Sequence, residues 1–375
     1  LVQEDRLVAK SEEAVFQWIK RWWEGGERPE AELLAMMRHV RFTAMAEGFL
    51  RETVVAWQAL RSAEAQRMLL DALLTIVGGT KPVPRWGFGP RLIYVVGGQG
   101  EGNVRVSTVD LYDPQAASWK QLANMTDPRR SHGCVALDGK LYAVGGLGAS
   151  FRELDTAEVY DPQTDEWQPL AKMSTARYDL GLAAVGGKIY AIGGLGGNST
   201  LESVEAYDPQ LGAWALVASM SEKREGHASV VLDGKIYTMG GSDAVDDVLD
   251  TAEVYDPQAN SWQPVASMPL GLSALAAAAM GGKIYVTGGT NQVADPVNSV
   301  CVYDPQADAW TQLASMSTAR QWHASAAVVG KLYVFGGVGV GGILDTAEVY
   351  DPASDSWAQA SSLTSARHSL AAVAL

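Results

Sequence analysis

A doubled glycine recurs six times along this chain of 375 residues, at 97/98, 145/146, 193/194, 240/241, 288/289 and 336/337, each 47 or 48 residues after the last. Two further markers keep step with it. A Tyr-Asp-Pro stands at Tyr112, Tyr160, Tyr207, Tyr255, Tyr303 and Tyr350, and a Trp follows each Tyr by seven residues, from Trp119 to Trp357. Three markers in one order, repeated six times, mean a repeat architecture in which one supersecondary unit is stacked on copies of itself.

Each unit reads as four short strands. A small apolar run near 135–137 or 182–185 leads through a Gly-Lys turn to a second strand such as Ile189–Ile192, which the glycine pair ends. A third strand, such as Ala157–Tyr160, stops at Asp-Pro, because proline removes a ladder donor and favours a turn. The fourth begins near the Trp. Short strands with this punctuation and period describe propeller blades. The Tyr and Trp rings are suited to filling the wedge between blades. The glycine pair is expected to adopt positive φ or to permit a close backbone approach. The first unit opens at Arg91–Gly98 without a first strand, and the last stretch, His368–Leu375, matches a first strand. The C-terminal strand is therefore expected to pair into the N-terminal blade and close a six-bladed ring, which removes exposed sheet edges.

The glycine pair, Tyr and Trp at this spacing resemble the Kelch repeat over residues 91–375. Residues 1–76 carry none of these markers and read as helical. Ser11 can cap a helix with Glu12 and Glu13 in its first turn, and Ala14, Val15, Trp18, Ile19 and Trp22 mark one face. A Gly/Pro-rich linker covers 77–90. The run from Leu7 to Phe16, then Trp18 and Val40-Arg41-Phe42, resembles the second half of a BACK domain, although Thr43 stands where the family usually has proline. The expected fold class is thus mostly β, a closed six-bladed Kelch propeller preceded by a small α-helical partial BACK segment. The resemblance is to the Kelch-like family, in which BTB, BACK and Kelch domains follow one another. It implies a substrate-recognition adaptor of a Cullin-3 ubiquitin ligase, with Cullin-3 bound through a BTB domain that this sequence lacks and a homodimer only where that domain is present. A Kelch scaffold for cytoskeletal or other proteins is the alternative, and a Kelch enzyme acting on sugars a third reading.

Composition narrows the partners. The net charge is −14 and no Lys/Arg-rich run stands out, which argues against nucleic acid or an anionic membrane. No stretch of about 18 apolar residues lacks charge, so no membrane span is expected. Two distant cysteines, Cys134 and Cys301, make no disulfide framework and point to a reducing compartment, hence the cytoplasm. The chain opens on Leu1, not Met, without a signal-peptide pattern, and reads as a fragment or a partial gene model.

Two loop sets are candidates for binding a protein or peptide. Ten residues after each Trp comes Arg129, Arg177, Arg224, Arg320 or Arg367, with Leu272 once in that place. Such regularity suggests a structural role. The next position never repeats: Arg130, Tyr178, Glu225, Ser273, Gln321 and His368. Variation inside a regular unit is where a binding face is written, and in the Kelch-like family this position lines the substrate pocket. The loops after the glycine pairs add Phe151 and Arg152 in one blade and the acidic Asp243, Asp246 and Asp247 in another. Arginines on one side and acids on the other suit a peptide carrying both charges; the plainer reading of each acid is a solvated turn residue. His132, His227 and His323 share one position in alternate blades and could face the channel with threefold spacing, yet a six-bladed channel is wide for three imidazoles to meet on one metal. No catalytic motif appears: there is no Gly-x-Ser-x-Gly elbow, Walker loop or Cys/His metal spacing. Copper-radical oxidases and sialic-acid mutarotases share the propeller, but the first need a Cys–Tyr pair with His ligands and the second are secreted without a BACK segment. No catalytic residue, cofactor or metal is expected.

Overall fold

The chain divides into two compact units, residues 1–91 and 92–375. The computed structural model describes residues 92–375, apart from Ala244 and Asp246, together with Lys20, which is helical. The other helical positions expected over 1–76, and the linker at 77–90, lie outside the described residues.

The second unit contains six four-stranded antiparallel sheets and two small two-stranded ones among the described residues. One blade shows the pattern of all. Gly133–Leu137, Lys140–Val144, Ala157–Asp161 and Glu166–Pro169 pair in chain order, from the innermost strand to the outermost. The innermost strands of successive blades touch in cyclic order until the last meets the first, so the sheets close on themselves. The closing strand is Ala371–Ala374. It pairs antiparallel with Ile93–Val96, with Ala374 opposite Ile93 and Ala371 opposite Val96, as the sequence predicts.

A blade of four- and five-residue strands is too small to own a core, so its apolar side chains are buried against the next blade. The second strands, such as Leu141–Val144 and Ile189–Ile192, are buried throughout. At the outer rim the repeated aromatics lock the wedge. Tyr160 packs 5.2 Å from Trp167 between ring centroids, and the Trp167 indole donates to the Ala123 carbonyl of the preceding blade at 3.1 Å. The Tyr160 hydroxyl donates to Asp165, which also accepts the Ala123 N–H.

The glycine pair does both things expected of it. Gly145 and Gly146 have φ of +65° and +97°, and a Cβ on them would lie 2.5 Å from the Arg177 carbonyl and 2.6 Å from that of Arg130. Positive φ and closeness together exclude a side chain. The Gly146 N–H donates to the same Arg177 carbonyl at 2.8 Å.

The repeated arginines are buried clips. Arg129, Arg177, Arg224, Arg320 and Arg367 have 0 or 1% of their surface exposed. Arg129 shows the geometry. Its carbonyl accepts the Gly98 N–H of one blade. Its side chain reaches into the next blade, donating to the Gly145 carbonyl at 2.8 Å and to Glu158 Oε1 at 2.7 Å. Glu158 also accepts the Thr126 and Asp127 N–H groups from the connector. The equivalent acids are Glu205, Glu253, Glu348 and Asp110. Only the fourth-to-fifth seam lacks a clip, and there both partners change together: Leu272 replaces the arginine and Cys301 replaces the acid, both inside one apolar cluster. Cys301 is thereby buried, and Cys134 is half-buried; burial pushes both thiols up to about 12, against the pull of the Arg129 charge at Cys134.

The three histidines do alternate by blade, but they do not meet on the axis. Each lies in a seam, packed against glycines of two blades: His132 between Gly97 and Gly146, His227 between Gly193 and Gly241, His323 between Gly288 and Gly337. Their Nε2 atoms face different partners. His227 accepts the Gly181 N–H at 3.2 Å, His323 meets the Thr287 hydroxyl at 2.8 Å, and neither ring nitrogen of His132 has a partner. The remaining seams carry Leu180, Leu275 and Leu370 in the same place. Among the described residues no group of three His, Cys, Asp or Glu could hold a metal. Burial, then the charge of the nearby clip arginine, lowers the pKa of each histidine to about 3.

Two outcomes follow from the seams. Arg177→Leu leaves Glu205 buried without its partner and should cost about 3–5 kcal/mol; adding Glu205→Cys, which copies the fifth blade, should recover a substantial part in a thermal or urea unfolding midpoint, whereas additive losses would show that the clip is not one unit. The unfolded chain binds protons on these histidines below about pH 6.5, while the folded chain does not until about 3. Stability should therefore fall as pH drops through that window, by about 1.4 kcal/mol per pH unit for each histidine. His132→Leu should flatten that slope measurably; an unchanged slope would mean that the ring is protonated in the fold.

Candidate functional site

The two loop sets singled out in the sequence are joined by the fold. Each residue after a clip arginine, or after Leu272 in its place, forms an antiparallel bridge with the first residue after a glycine pair: Arg130 with Leu147, Tyr178 with Leu195, Glu225 with Ser242, Ser273 with Thr290, Gln321 with Val338 and His368 with Gln99. Both backbone groups of the connector residue are used, as in Arg130 N–H to the Leu147 carbonyl at 3.2 Å and the return bond at 2.9 Å.

One residue further on, the chain forms a belt around the axis. The Ser131 N–H donates to the Ser369 carbonyl, Ser369 to Trp322, Trp322 to Ala274, Ala274 to Gly226, Gly226 to Asp179, and Asp179 back to Ser131, over 2.7 to 2.9 Å. All six have φ between +50° and +59°. A left-handed residue turns the chain sharply from the connector into the innermost strand, which brings each amide to its neighbour. The belt rims a pocket at the channel mouth, lined also by the histidines and leucines that follow.

The six variable positions are not equal around this mouth. Arg130, Tyr178, Glu225 and Gln321 are half-buried, whereas Ser273 is 9% and His368 is 6% exposed. The His368 ring is held by the Ser369 hydroxyl at 3.0 Å and the Gln99 amide at 3.2 Å, and lies 5.9 Å from the Trp322 ring. Burial, then the Arg130 charge, lowers its pKa to about 4. Burial raises the Asp179 carboxyl above its ordinary range, opposed by a Ser131 hydrogen bond and the Arg130 charge. Phe151 and Arg152 are exposed on the loop after the second glycine pair, with Phe151 at φ +59°. Asp247 is exposed, but Asp243 Oδ1 accepts the N–H groups of Val245 and Asp247 at 2.9 and 3.0 Å, so that carboxylate shapes its own turn. Asp246 lies outside the described residues.

Two mouth residues carry no sequence signal that singles them out by repetition. Trp322 stands where the other blades have Ser, Asp, Gly, Ala and Ser, and is 40% exposed beside the pocket. Arg105 occupies the loop after the first glycine pair and lies with its guanidinium carbon 3.5 Å over the Phe151 ring of the next blade. A departure from the repeat was the available signal for the first. The second needed knowledge of which loop it would touch.

Comparison with known proteins bears on the whole arrangement. A family model described as the KLHDC2/KLHL20/DRC7 Kelch-repeats domain matches residues 89–289, more than half of the chain. The Kelch motif matches 272–317 and 323–364, and the BACK domain, "BTB And C-terminal Kelch", matches 1–55. The solved structure of YjhT is similar, with 17% sequence identity and a TM-score of 0.63, over 72% of this chain and 95% of that one; at that identity the likeness is one of fold. No helix among the described residues is long and apolar enough to cross a membrane. With repeat markers, blade topology and matched segments in agreement, the chain belongs to the Kelch-repeat family and carries a BACK domain ahead of its propeller.

Proposed function

We propose that this chain is the substrate-recognition part of a Cullin-3 ubiquitin ligase, acting in the cytoplasm and holding a short segment of its target at the channel mouth. The observation that carries this reading is the order of segments, a BACK match over 1–55 followed by a Kelch propeller. That combination supports a protein-interaction adaptor. The mouth adds support: a rigid backbone belt is ringed by side chains that differ from blade to blade, with the acids, arginines and aromatics of a peptide-reading surface. Arg130, Tyr178, Glu225, Ser273, Gln321 and His368 would read the peptide, with Phe151, Arg152, Asp243 and Asp247 at the rim; Asp246 remains a candidate on its sequence alone. Tyr178 and Arg152 are the expected anchors, since both offer accessible surface and a strong directional contact, and His368 and Ser273 would act mainly by positioning neighbours. Ubiquitin transfer would be left to other subunits, with Cullin-3 held through a BTB domain elsewhere in the full protein.

Affinity purification of the full-length gene product from its own cells should recover Cullin-3 in near-stoichiometric amount. Its absence, with no BTB sequence upstream of Leu1, would remove the ligase role and leave a Kelch scaffold. Tyr178→Ala combined with Arg152→Ala should reduce recovery of the target proteins by tenfold or more, about 1.4 kcal/mol, while Cullin-3 recovery stays constant. Unchanged target recovery would sink the proposed face.

A further inference from the structure

The fourth strand of each blade is the outermost, with no strand beyond it among the described residues. Such an edge presents unpaired N–H and C=O groups to any strand that meets it, and natural proteins blunt it with proline or charge. Two residues after the Trp, the second and fourth blades carry Pro169 and Pro264, and the first, fifth and sixth carry the polar Gln121, Gln312 and Gln359. The third blade carries Leu216, which is 68% exposed. Its outermost strand, Ala213–Val217, reads Ala-Trp-Ala-Leu-Val. The one polar side-chain atom in it, the indole nitrogen of Trp214, already donates to the Ala171 carbonyl. Leu211, at the tip of the same hairpin, is 78% exposed. No other hairpin between a third and a fourth strand exposes a large apolar side chain among the described residues.

A second departure from the repeat falls on this hairpin. In four blades an Asp or Asn takes the Tyr hydroxyl of its own blade and an N–H of the preceding one, as Asp165, Asn260, Asp308 and Asp355 do. Gly212 stands in that place in the third blade and can accept neither. Its φ is +62° and a Cβ there would meet nothing within 4 Å, and Asn and Asp tolerate such a φ in the other blades. The hairpin is therefore less tied to its neighbour than those four, and its edge is the most apolar.

The direction of the free backbone groups follows from the ladder. Three residues past the Trp, the Leu122 and Leu170 N–H groups bond to the third strands of their blades, and Val217 is the equivalent residue, opposite Val204. Alternation along an antiparallel pair then turns Ala213, Ala215 and Val217 inward and leaves the N–H and C=O groups of Trp214 and Leu216 facing out.

We infer that this edge pairs antiparallel with the same strand of a second copy of the chain, about a two-fold axis at Ala215. A strand without charge can lie against its own copy with no like charges opposed, which matters in a chain of net charge −14. The axis sets Ala215 against its own counterpart and each Leu216 against Trp214 of the other copy. The outward groups of those two residues then bond reciprocally, and the leucines leave water. The contact is small. Two five-residue strands bury less than the ~1,000 Å² of a stable specific interface. The association is accordingly weak and reversible, with a dissociation constant on the order of 10–100 µM.

Sedimentation equilibrium of the purified full chain tests this pairing. The average mass should rise from monomer toward dimer across that concentration range. Leu216→Pro copies the second and fourth blades and removes only an outward donor. It should weaken dimerisation tenfold or more with Tm unchanged, while Gln312→Pro on the fifth blade leaves dimerisation as it was. Ala215→Cys should give a disulfide-linked dimer under mild oxidation that the unsubstituted chain does not, because facing non-bonded residues of an antiparallel pair lie within disulfide reach. A chain that stays monomeric, a dimer that Leu216→Pro leaves intact, or a failure of Ala215→Cys to cross-link overturns the inference. So does a monomer whose Leu216→Pro variant loses a partner protein in affinity purification, since the edge would then belong to a strand of that protein.

Discussion

The contact on which the ring depends is a guanidinium buried against a carboxylate at five of the six seams. Arg129 and Glu158 illustrate why it is suited to that place. The arginine belongs by its backbone to one blade and by its side chain to the next, and the glutamate takes the connector amides with its remaining lone pairs. Because each member is bonded several times over, desolvation of the charges is offset, and what remains is a geometric constraint on how one blade sits on another. The seam without a clip supports this account. Leu272 and Cys301 are both apolar there, so no charge is stranded. The Tyr–Trp wedge and the glycine pairs then work at either end of a seam already set in register.

How much of this the sequence discloses depends on whether a feature repeats. The blades, the closing strand and the structural nature of the arginine position are legible because six copies share one spacing. The acid that pairs with the arginine is legible in principle. It stands two residues before each Tyr, as Glu158 before Tyr160, and is missing only in the repeat where the arginine is missing too. The histidines show a limit. Their alternation is plain in the sequence, but the left-handed residue before each one turns its side chain into a seam, and no spacing rule conveys that.

The site is less legible for a related reason. The proposed binding residues that follow the glycine pairs stand in loops that differ in length, so they have no register to be compared in. The six connector positions could be named because the clip arginine fixes them, yet their exposure ranges from half-buried Tyr178 to nearly covered His368. Arg105 could not be named, since its burial is supplied by Phe151 from another blade. Side chains that converge at the mouth are placed by neighbours some 45 residues away, one repeat along.

The belt of left-handed residues bears on how such a protein can change its partner. Every amide and carbonyl of the belt, and of the connector residues before it, is already committed to another blade or to the adjoining loop. No strand of a guest can be added there, because there is no vacant edge for it to follow. The belt and connectors offer a guest their side chains and no free backbone edge. A propeller so arranged can exchange one specificity for another by single substitutions, blade by blade, without disturbing the frame that presents them.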